Sequence, residues 1–386
     1  SIREVRPEEG CERGDQPDPP RRIRTEVFRA MEDVSRSFVH IPELQRWAGR
    51  HIAGATGAEA GLPTAGASNG LTLAAAACIM RGTELEEFDP LEGSGWSHIA
   101  MRLPMHTEGL RTEFVVQREN RNAYDHAVEC AGGRFVEAGS DEDELDEAFD
   151  PDGTAAYYYT AREALRCLPL ETVVKIAHSH DAPVIVDAAA EIPPKRKLTY
   201  YIERGADLVS YSGGKHLGGP NNSGLLAGRG DLIKLAHLQA YPFHGIGRAA
   251  KMSRETIVGL VAALKIYLEH DEDAAFTEWE RRAGWMAERL GDIPGAESGV
   301  LYQRAVEDGE TMAPFCFLEL DEGVCGTSGT ELVAGLKEGD PRIWTLWEPA
   351  FLLGEGHEGK VCINPQYMLE GEEEIVVARI KEVLEA

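Results

Sequence analysis

Apolar positions recur at helical spacing near the start of the chain. Val27, Phe28, Met31, Val34 and Phe38 form one such set, and Leu44, Trp47, Ala48 and Ile52 a second; each predicts a helix with one apolar face. Residues 71–80 (LTLAAAACIM) predict a helix buried on most sides, and the polar stretch 82–111 reads as loop. The middle of the chain then alternates. Residues 113–117 (EFVVQ), 134–136, 155–159 (AAYYY), 183–186 (PVIV) and 207–211 (DLVSY) predict short strands, with helices over 123–131, 170–178 and 197–204 between them. Strands alternating with helices imply a parallel sheet covered on both faces, the α/β class.

Residues 255–290 keep one amphipathic face through Ile257, Leu260, Val261, Leu264, Tyr267 and Leu268, and the helical pattern resumes at Trp279 after an acidic patch. Such a long element suits a connector. Beyond it, strands are expected over 314–320, 342–346 and 360–363 and helices over 329–336 and 372–384, a small α+β domain. The expected organisation is an irregular, Pro- and Glu-rich arm over 1–26, a large domain over 27–268 and a small one over 269–386.

Composition narrows the function classes. Across 386 residues, 66 acidic side chains oppose 39 Lys and Arg, a formal charge of −27. That balance repels a phosphate backbone, and the basic residues do not cluster, so a nucleic-acid surface is not expected. The longest apolar run is too short to cross a bilayer, and the polar start does not read as a signal peptide. Seven cysteines with no CxxC pair give neither a disulfide framework nor a zinc ribbon, so a reduced, cytoplasmic protein without a bound metal is expected.

Candidate chemistry concentrates in residues 183–224. Asp187 stands at the carboxyl end of one predicted strand, and Ser212-Gly213-Gly214-Lys215 follows the next. In a right-handed βαβ unit both strand ends open on the same edge of the sheet, where ligands bind. Taken singly, Asp187 reads equally well as a helix cap and Lys215 as a solvated side chain. Taken together, they suit pyridoxal phosphate, which needs a lysine amine for its Schiff base and a carboxylate at its pyridine nitrogen. The segment 64–70 (TAGASNG) offers that cofactor's phosphate a helix N-terminus with small residues, and Ser68 and Ser212 each add a hydroxyl.

The same segment matches G-x-S-x-G, the nucleophile elbow of hydrolases. Pro63 and two glycines precede it where a clean apolar strand is expected, so a serine hydrolase using Ser68 stands as a rival from another class. His178-Ser179-His180 lacks a third metal ligand and reads as charge at a helix C-terminus. Gly245–Ala250 follows no convincing strand and makes a poor dinucleotide fingerprint.

The blocks VDAAAE, GADLVSYSGGKHLGGPNNSGLLAGRGDLI and HGIGRAAKMSRETIVGLVAAL resemble pyridoxal-phosphate enzymes of the aspartate-aminotransferase fold, fold type I. Within that superfamily the chain is similar to the group related to L-seryl-tRNA(Sec) selenium transferase, and especially to its D-glucosaminate-6-phosphate ammonia-lyase branch. The resemblance runs from about residue 27 onward and is specific over 183–265. It implies a large domain with a mainly parallel sheet and a small α+β C-terminal domain. It also implies Lys215 as the Schiff-base lysine and Asp187 as the partner of the pyridine nitrogen. Ala189 is implied to pack on the ring, Gly66, Ala67, Ser68 and Ser212 to bind the phosphate, and Arg248 and Lys251 to hold an anionic substrate, with Arg121 a further candidate equally open to a surface salt bridge. A homodimer or larger homo-oligomer follows from the same resemblance. Asn120, Leu346 and Gln366 stand where the branch usually has His, Arg and Arg, departures that touch the substrate rather than the cofactor.

The reaction expected is α,β-elimination from a hydroxy amino acid or amino sugar acid, giving a 2-oxo acid. Racemisation, aldol cleavage and seleno or thio transfer need the same lysine, and the sequence does not choose among them. Transfer onto a tRNA is disfavoured by the acidic balance and by the absence of a recognisable RNA-binding extension.

Overall fold

The computed structural model describes residues 23–93, 95–348, 353–354 and 356–385. The arm expected over residues 1–26 lies almost wholly outside them. The chain divides into two compact units, one spanning Pro20–His270 with Val306–Asp308, the other Asp271–Ala305 with Gly309–Ala386.

The larger unit opens with helices α1 (Thr25–Ser35) and α2 (Ile41–Thr56), the two predicted from spacing. Pro42 in the first turn of α2 and Gly57 at its end, with φ +69°, set its limits. Strand β1 (Ala60–Thr64) leads directly into α3 (Ala67–Met80). Helix α3 is buried almost throughout, as its run of alanines requires: small side chains let it lie close to the sheet. Residues 82–111 carry two short helical turns, Glu84–Glu87 and Ser97–Ala100, where the sequence predicts loop; the buried Trp96 anchors the second.

The main sheet adds β2 (Glu113–Gln117), β3 (Arg134–Ala138), β4 (Thr154–Thr160), β5 (Val184–Asp187), β6 (Leu208–Ser212) and β7 (Gly224–Gly228). Its order is β1-β7-β6-β5-β4-β2-β3. Strand β7 is antiparallel to both neighbours, and the other six run the same way. Neither β1 nor β7 is evident from the pattern. Pro63 argues against a strand, but β1 lies at the sheet edge, where a missing N–H costs no ladder bond. One sheet face carries Val116, Tyr158, Ile185, Leu208 and Leu226 under α3 and the helix Gly230–Gln239. The other carries Val115, Tyr157, Tyr159, Val186 and Val209, packed with the helices Leu170–Ser179 and Lys197–Glu203.

The predicted long connector is two helices, Arg254–Glu269 and Glu272–Gly291. His270 is extended, and Asp271 caps the second helix by accepting from Ala274 N at 3.0 Å. In the smaller unit, β8 (Ala296–Arg304), β9 (Thr311–Leu320), β10 (Leu346–Trp347) and β11 (Lys360–Ile363) form an antiparallel sheet in the order β10-β11-β9-β8. The strand expected over 342–346 is reduced to the two residues of β10, and β8 was not evident from its pattern. The helices Gly329–Glu338 and Glu372–Glu385 pack on this sheet around Leu332, Leu336, Val376 and Ile380.

Candidate active site

Register decides which side chains share the carboxyl edge of the main sheet. Thr160 pairs with Asp187, Asp187 with Ser210, and Ser210 with Leu226. Side chains of parallel neighbours in register share a face, and alternate residues of one strand share it too. Thr160, Asp187, Ser210 and Ser212 therefore stand on the face that α3 covers. The start of α3 is tied to that row by Ser210 Oγ, which donates to Ala67 O at 2.9 Å.

The turn into α3 is held from both sides. Thr64 Oγ1 donates to Gly66 O at 2.9 Å, and Asn69 Oδ1 accepts from Ala65 N at 3.2 Å. Gly66 has φ +84°, a conformation that disfavours any side chain. Gly70 N closes the first intrahelical bond to Gly66 O at 3.2 Å. The N–H groups of Ala67, Ser68 and Asn69 are left without an intrahelical acceptor, and they carry the positive end of the helix dipole. Gly224 closes the cradle from below: a Cβ there would stand 2.5 Å from Gly66 C and 2.8 Å from Ala67 N.

Beyond Ser212 the chain folds back on itself. Gly213 N donates to Ser223 O at 2.8 Å, Gly218 N to Lys215 O at 2.9 Å and Gly219 N to Gly213 O at 2.9 Å. A Cβ on Gly213 would stand 2.5 Å from Ser223 Oγ, and one on Gly214 would stand 2.6 Å from Asn221 Cα. Two glycines are thus required to lay this loop flat, and they fix where the half-buried Lys215 emerges.

Asp187 is buried, and burial pushes its carboxyl up to about 6. The Ala189 N–H, donating to Oδ1 at 3.0 Å, and the Lys215 ammonium pull it back down, while Glu191 and Asp125 push it further up. Glu191 is itself buried against Arg162, whose Nε donates to Oε1 at 3.1 Å. The residue pair that the sequence singles out is therefore electrostatically coupled.

Other expected site residues are placed less closely. Arg121 is engaged elsewhere: Nε pairs with Asp125, Nη1 donates to Glu137 Oε1 at 2.9 Å, and the guanidinium lies 4.4 Å over the Phe135 ring. Arg248 and Lys251 are exposed near one ring, 4.9 and 5.3 Å from the centroid of Tyr241, with no acidic side-chain partner among the described residues. Ser68 is exposed, and no histidine hydrogen-bonds its hydroxyl among the described residues. Each histidine at the helix end has an acidic partner: His178 Nε2 lies 2.8 Å from Asp207 Oδ2 and His180 Nε2 lies 2.8 Å from Asp146 Oδ1. No cluster of metal-ligating side chains is found among the described residues.

Sequence reasoning passed over Thr160, Ser210 and Asp125. The first two follow only from register. Asp125 carried a local signal, standing four residues after Arg121 ahead of a helical pattern.

A lysine on a glycine-flanked loop, a buried acid and an anion-ready helix start, all on the carboxyl edge of a seven-stranded sheet, define a fold type I pyridoxal-phosphate enzyme. The family profile of L-seryl-tRNA selenium transferase matches residues 165–277. A Streptomyces 5'-C-glycyluridine monooxygenase-decarboxylase is 32% identical over 93% of this chain and 85% of its own. The D-glucosaminate-6-phosphate ammonia lyase of Salmonella typhimurium is 28% identical over 94% of this chain and 91% of its own. A solved structure of D-glucosaminate-6-phosphate ammonia-lyase superposes with a TM-score of 0.76 at 28% identity, covering 95% of this chain and 92% of that one. The chain belongs to the L-seryl-tRNA(Sec) selenium transferase-related family of pyridoxal-phosphate enzymes.

Proposed function

We propose that the protein is a lyase that removes water and ammonia from a hydroxy amino acid or amino sugar acid, giving a 2-oxo acid. The observation that carries this reading is the single sheet face joining the α3 start and Asp187, with the Lys215 loop at its edge. The ammonia-lyase relative supports the choice of reaction.

The cradle fits the cofactor. Gly213, Gly214 and Gly224 let the Lys215 loop and the turn into α3 pack where a Cβ would collide with Ser223, Asn221 and Gly66, and the first-turn N–H groups of α3 lack intrahelical partners. Bound pyridoxal phosphate supplies an electron sink for the charge left on Cα. The turn at Gly66, the N–H groups of Ala67 and Ser68 and the Ser68 and Ser212 hydroxyls would hold the phosphate. Asp187 would keep a proton on the ring nitrogen, with Ala189 beside the ring. Lys215 Nζ would anchor the cofactor and, once freed, would take the Cα proton. Lys215 or His216 then gives a proton to the departing hydroxyl. Arg248 and Lys251, with no acidic partner among the described residues, hold the substrate's carboxylate or phosphate. Arg121, already committed to two acids, positions the 118–125 loop rather than binding substrate. The protein works in the cytoplasm as a homodimer or larger homo-oligomer.

Two measurements test this. The purified protein is expected to show a yellow absorption band that Lys215→Ala lacks; a wild type that stays colourless after adding pyridoxal phosphate overturns the reading. Ammonia is then assayed across D- and L-hydroxy amino acids and amino sugar acids. The 32% identity to a monooxygenase-decarboxylase favours one second reading, oxidative loss of the substrate carboxylate. Carbon dioxide release with oxygen uptake, and no ammonia, selects that reading instead. Ser68→Ala retains turnover with weaker cofactor binding, whereas a serine hydrolase would lose activity entirely.

A further inference from the structure

The turn that follows Asp187, residues 188–191, is fastened along its length. Ala188 N donates to Ser210 O at 3.0 Å, Ala189 N to Asp187 Oδ1 at 3.0 Å, and Glu191 N to Ala188 O at 3.3 Å. Its far end is gripped from the neighbouring strand. Arg162 stands two residues past the end of β4, the register neighbour of β5. Its Nη2 donates to Ala190 O at 3.0 Å and its Nε to Glu191 Oε1 at 3.1 Å. One guanidinium therefore spans two consecutive residues of the turn.

Stability is a poor reason for this pair. The Arg162 and Glu191 side chains are 12% and 1% exposed, and the attraction between buried charges is largely offset by their desolvation. Glu191 Oε2 is also buried with no hydrogen-bond partner among the described residues, a further cost. What arginine supplies is a planar fork with fixed donor directions, able to hold a carbonyl and a carboxylate in one geometry. A lysine carries the same charge without that geometry. The turn held in this way contains both Ala189 and the N–H that donates to the Asp187 carboxylate.

We propose that Arg162 is a positioning residue for Asp187 and Ala189: by gripping Ala190 O and Glu191 it fixes the turn whose Ala189 N–H donates to Asp187, and so sets where that carboxylate and the Ala189 methyl stand against the cofactor ring. The inference rests on the assignment of Asp187 to the pyridine nitrogen. When the grip is lost the turn relaxes, the Ala189 N–H leaves the carboxylate, and the proton on the ring nitrogen is held less firmly.

The test uses pyridoxal phosphate labelled with ¹⁵N in the ring, bound to wild type, Arg162→Lys, Glu191→Gln and Asp187→Asn. The ¹⁵N shift reports protonation of the ring nitrogen without turnover. Asp187→Asn is expected to give the deprotonated shift. Arg162→Lys keeps the charge and loses the fork, so it is expected to fall between Asp187→Asn and wild type. Its cofactor affinity is expected to weaken about tenfold, the scale of one hydrogen bond to a charged group. Glu191→Gln keeps an acceptor for Nε and is expected to lie closer to wild type than Arg162→Lys, even if its apoprotein unfolds at a lower temperature. Thermal unfolding of each apoprotein shows which variants fold. Should Arg162→Lys not fold, the double variant Arg162→Gln/Glu191→Gln removes both buried charges and takes its place with the same expectation. A wild-type shift and affinity in Arg162→Lys, with Asp187→Asn displaced, would show that the role given to Arg162 is wrong. A shift in Glu191→Gln as large as in Arg162→Lys would make charge, not the geometry of the turn, responsible, and the positioning role falls. If Asp187→Asn leaves the signal unmoved, the assignment of Asp187 itself fails.

Discussion

Two buried residues set opposing pH dependences in the apoprotein. Burial holds the Asp187 carboxyl at about 6, above the ordinary 3.8, so the folded state binds the extra proton between those values. The protonated form is favoured in the fold, and stability falls as pH rises through that window. His237 is shifted the other way. Burial pushes it down from 6.5 to about 4, with its Nε2 3.0 Å from Gln45 Oε1. The folded state excludes that proton, and stability falls as pH drops from 6.5 towards 4. Each shift corresponds to roughly 3 kcal/mol, so wild type shows little net slope from this pair and single variants expose it. Apo Asp187→Asn is expected to unfold at a higher temperature than wild type at neutral pH, with the gap closing near pH 4. It should also bind pyridoxal phosphate more weakly. Parallel unfolding profiles for the two proteins across that range would contradict the assignment of Asp187 as a strained acid.

At the scale of elements, α3 links the sheet to the site through contacts too close for side chains. Gly224→Ala places a methyl group 2.5 Å from Gly66 C. The turn into α3 must then shift, and overpacking of this kind costs about 1–3 kcal/mol. The expected result is a lower unfolding temperature together with loss of cofactor affinity, because the displaced N–H groups are those proposed to meet the phosphate. Gly49→Ala is the control. Its Cβ would collide with the Gly61 carbonyl where α2 crosses β1, so it strains the fold away from the cradle. Equal losses of stability with unequal losses of affinity, measured by calorimetry and by cofactor titration, would place phosphate binding at the α3 start. Equal losses of both would remove it from there.

The whole molecule carries a formal charge of −27 over 386 residues. Like charges at that density repel in the compact state, and salt screens them over a Debye length of about 8 Å at physiological ionic strength. The unfolding temperature is therefore expected to rise with sodium chloride from about 0.01 to 1 M, most steeply at the dilute end. A flat or falling curve would show that paired charges, such as Arg282 with Glu278 and Arg229 with Asp207, dominate the balance instead. Among the described residues no helix is long and apolar enough to cross a membrane.

Local chemistry wrote part of this protein directly into its sequence. The period of apolar residues placed α1, α2 and the parallel strands β2 to β6, because a half-buried element must repeat its apolar side with its own geometry. Asp187 and Lys215 stood out because a strand end, an acid and a glycine-flanked lysine lie within one βαβ unit. Non-local pairing decided the rest. Strands β1 and β7 are legible only once paired: Pro63 is tolerated because β1 is an edge, and the Gly- and Leu-rich β7 gains its identity from neighbours on both sides. Register alone put Thr160, Ser210 and Tyr158 on the face of Asp187, and no spacing along the chain encodes which strands lie side by side. Arg121 shows the same limit from the other direction. The sequence left it open between a substrate contact and a surface salt bridge, and strand order, by bringing Glu137 to it, produced the ion pair.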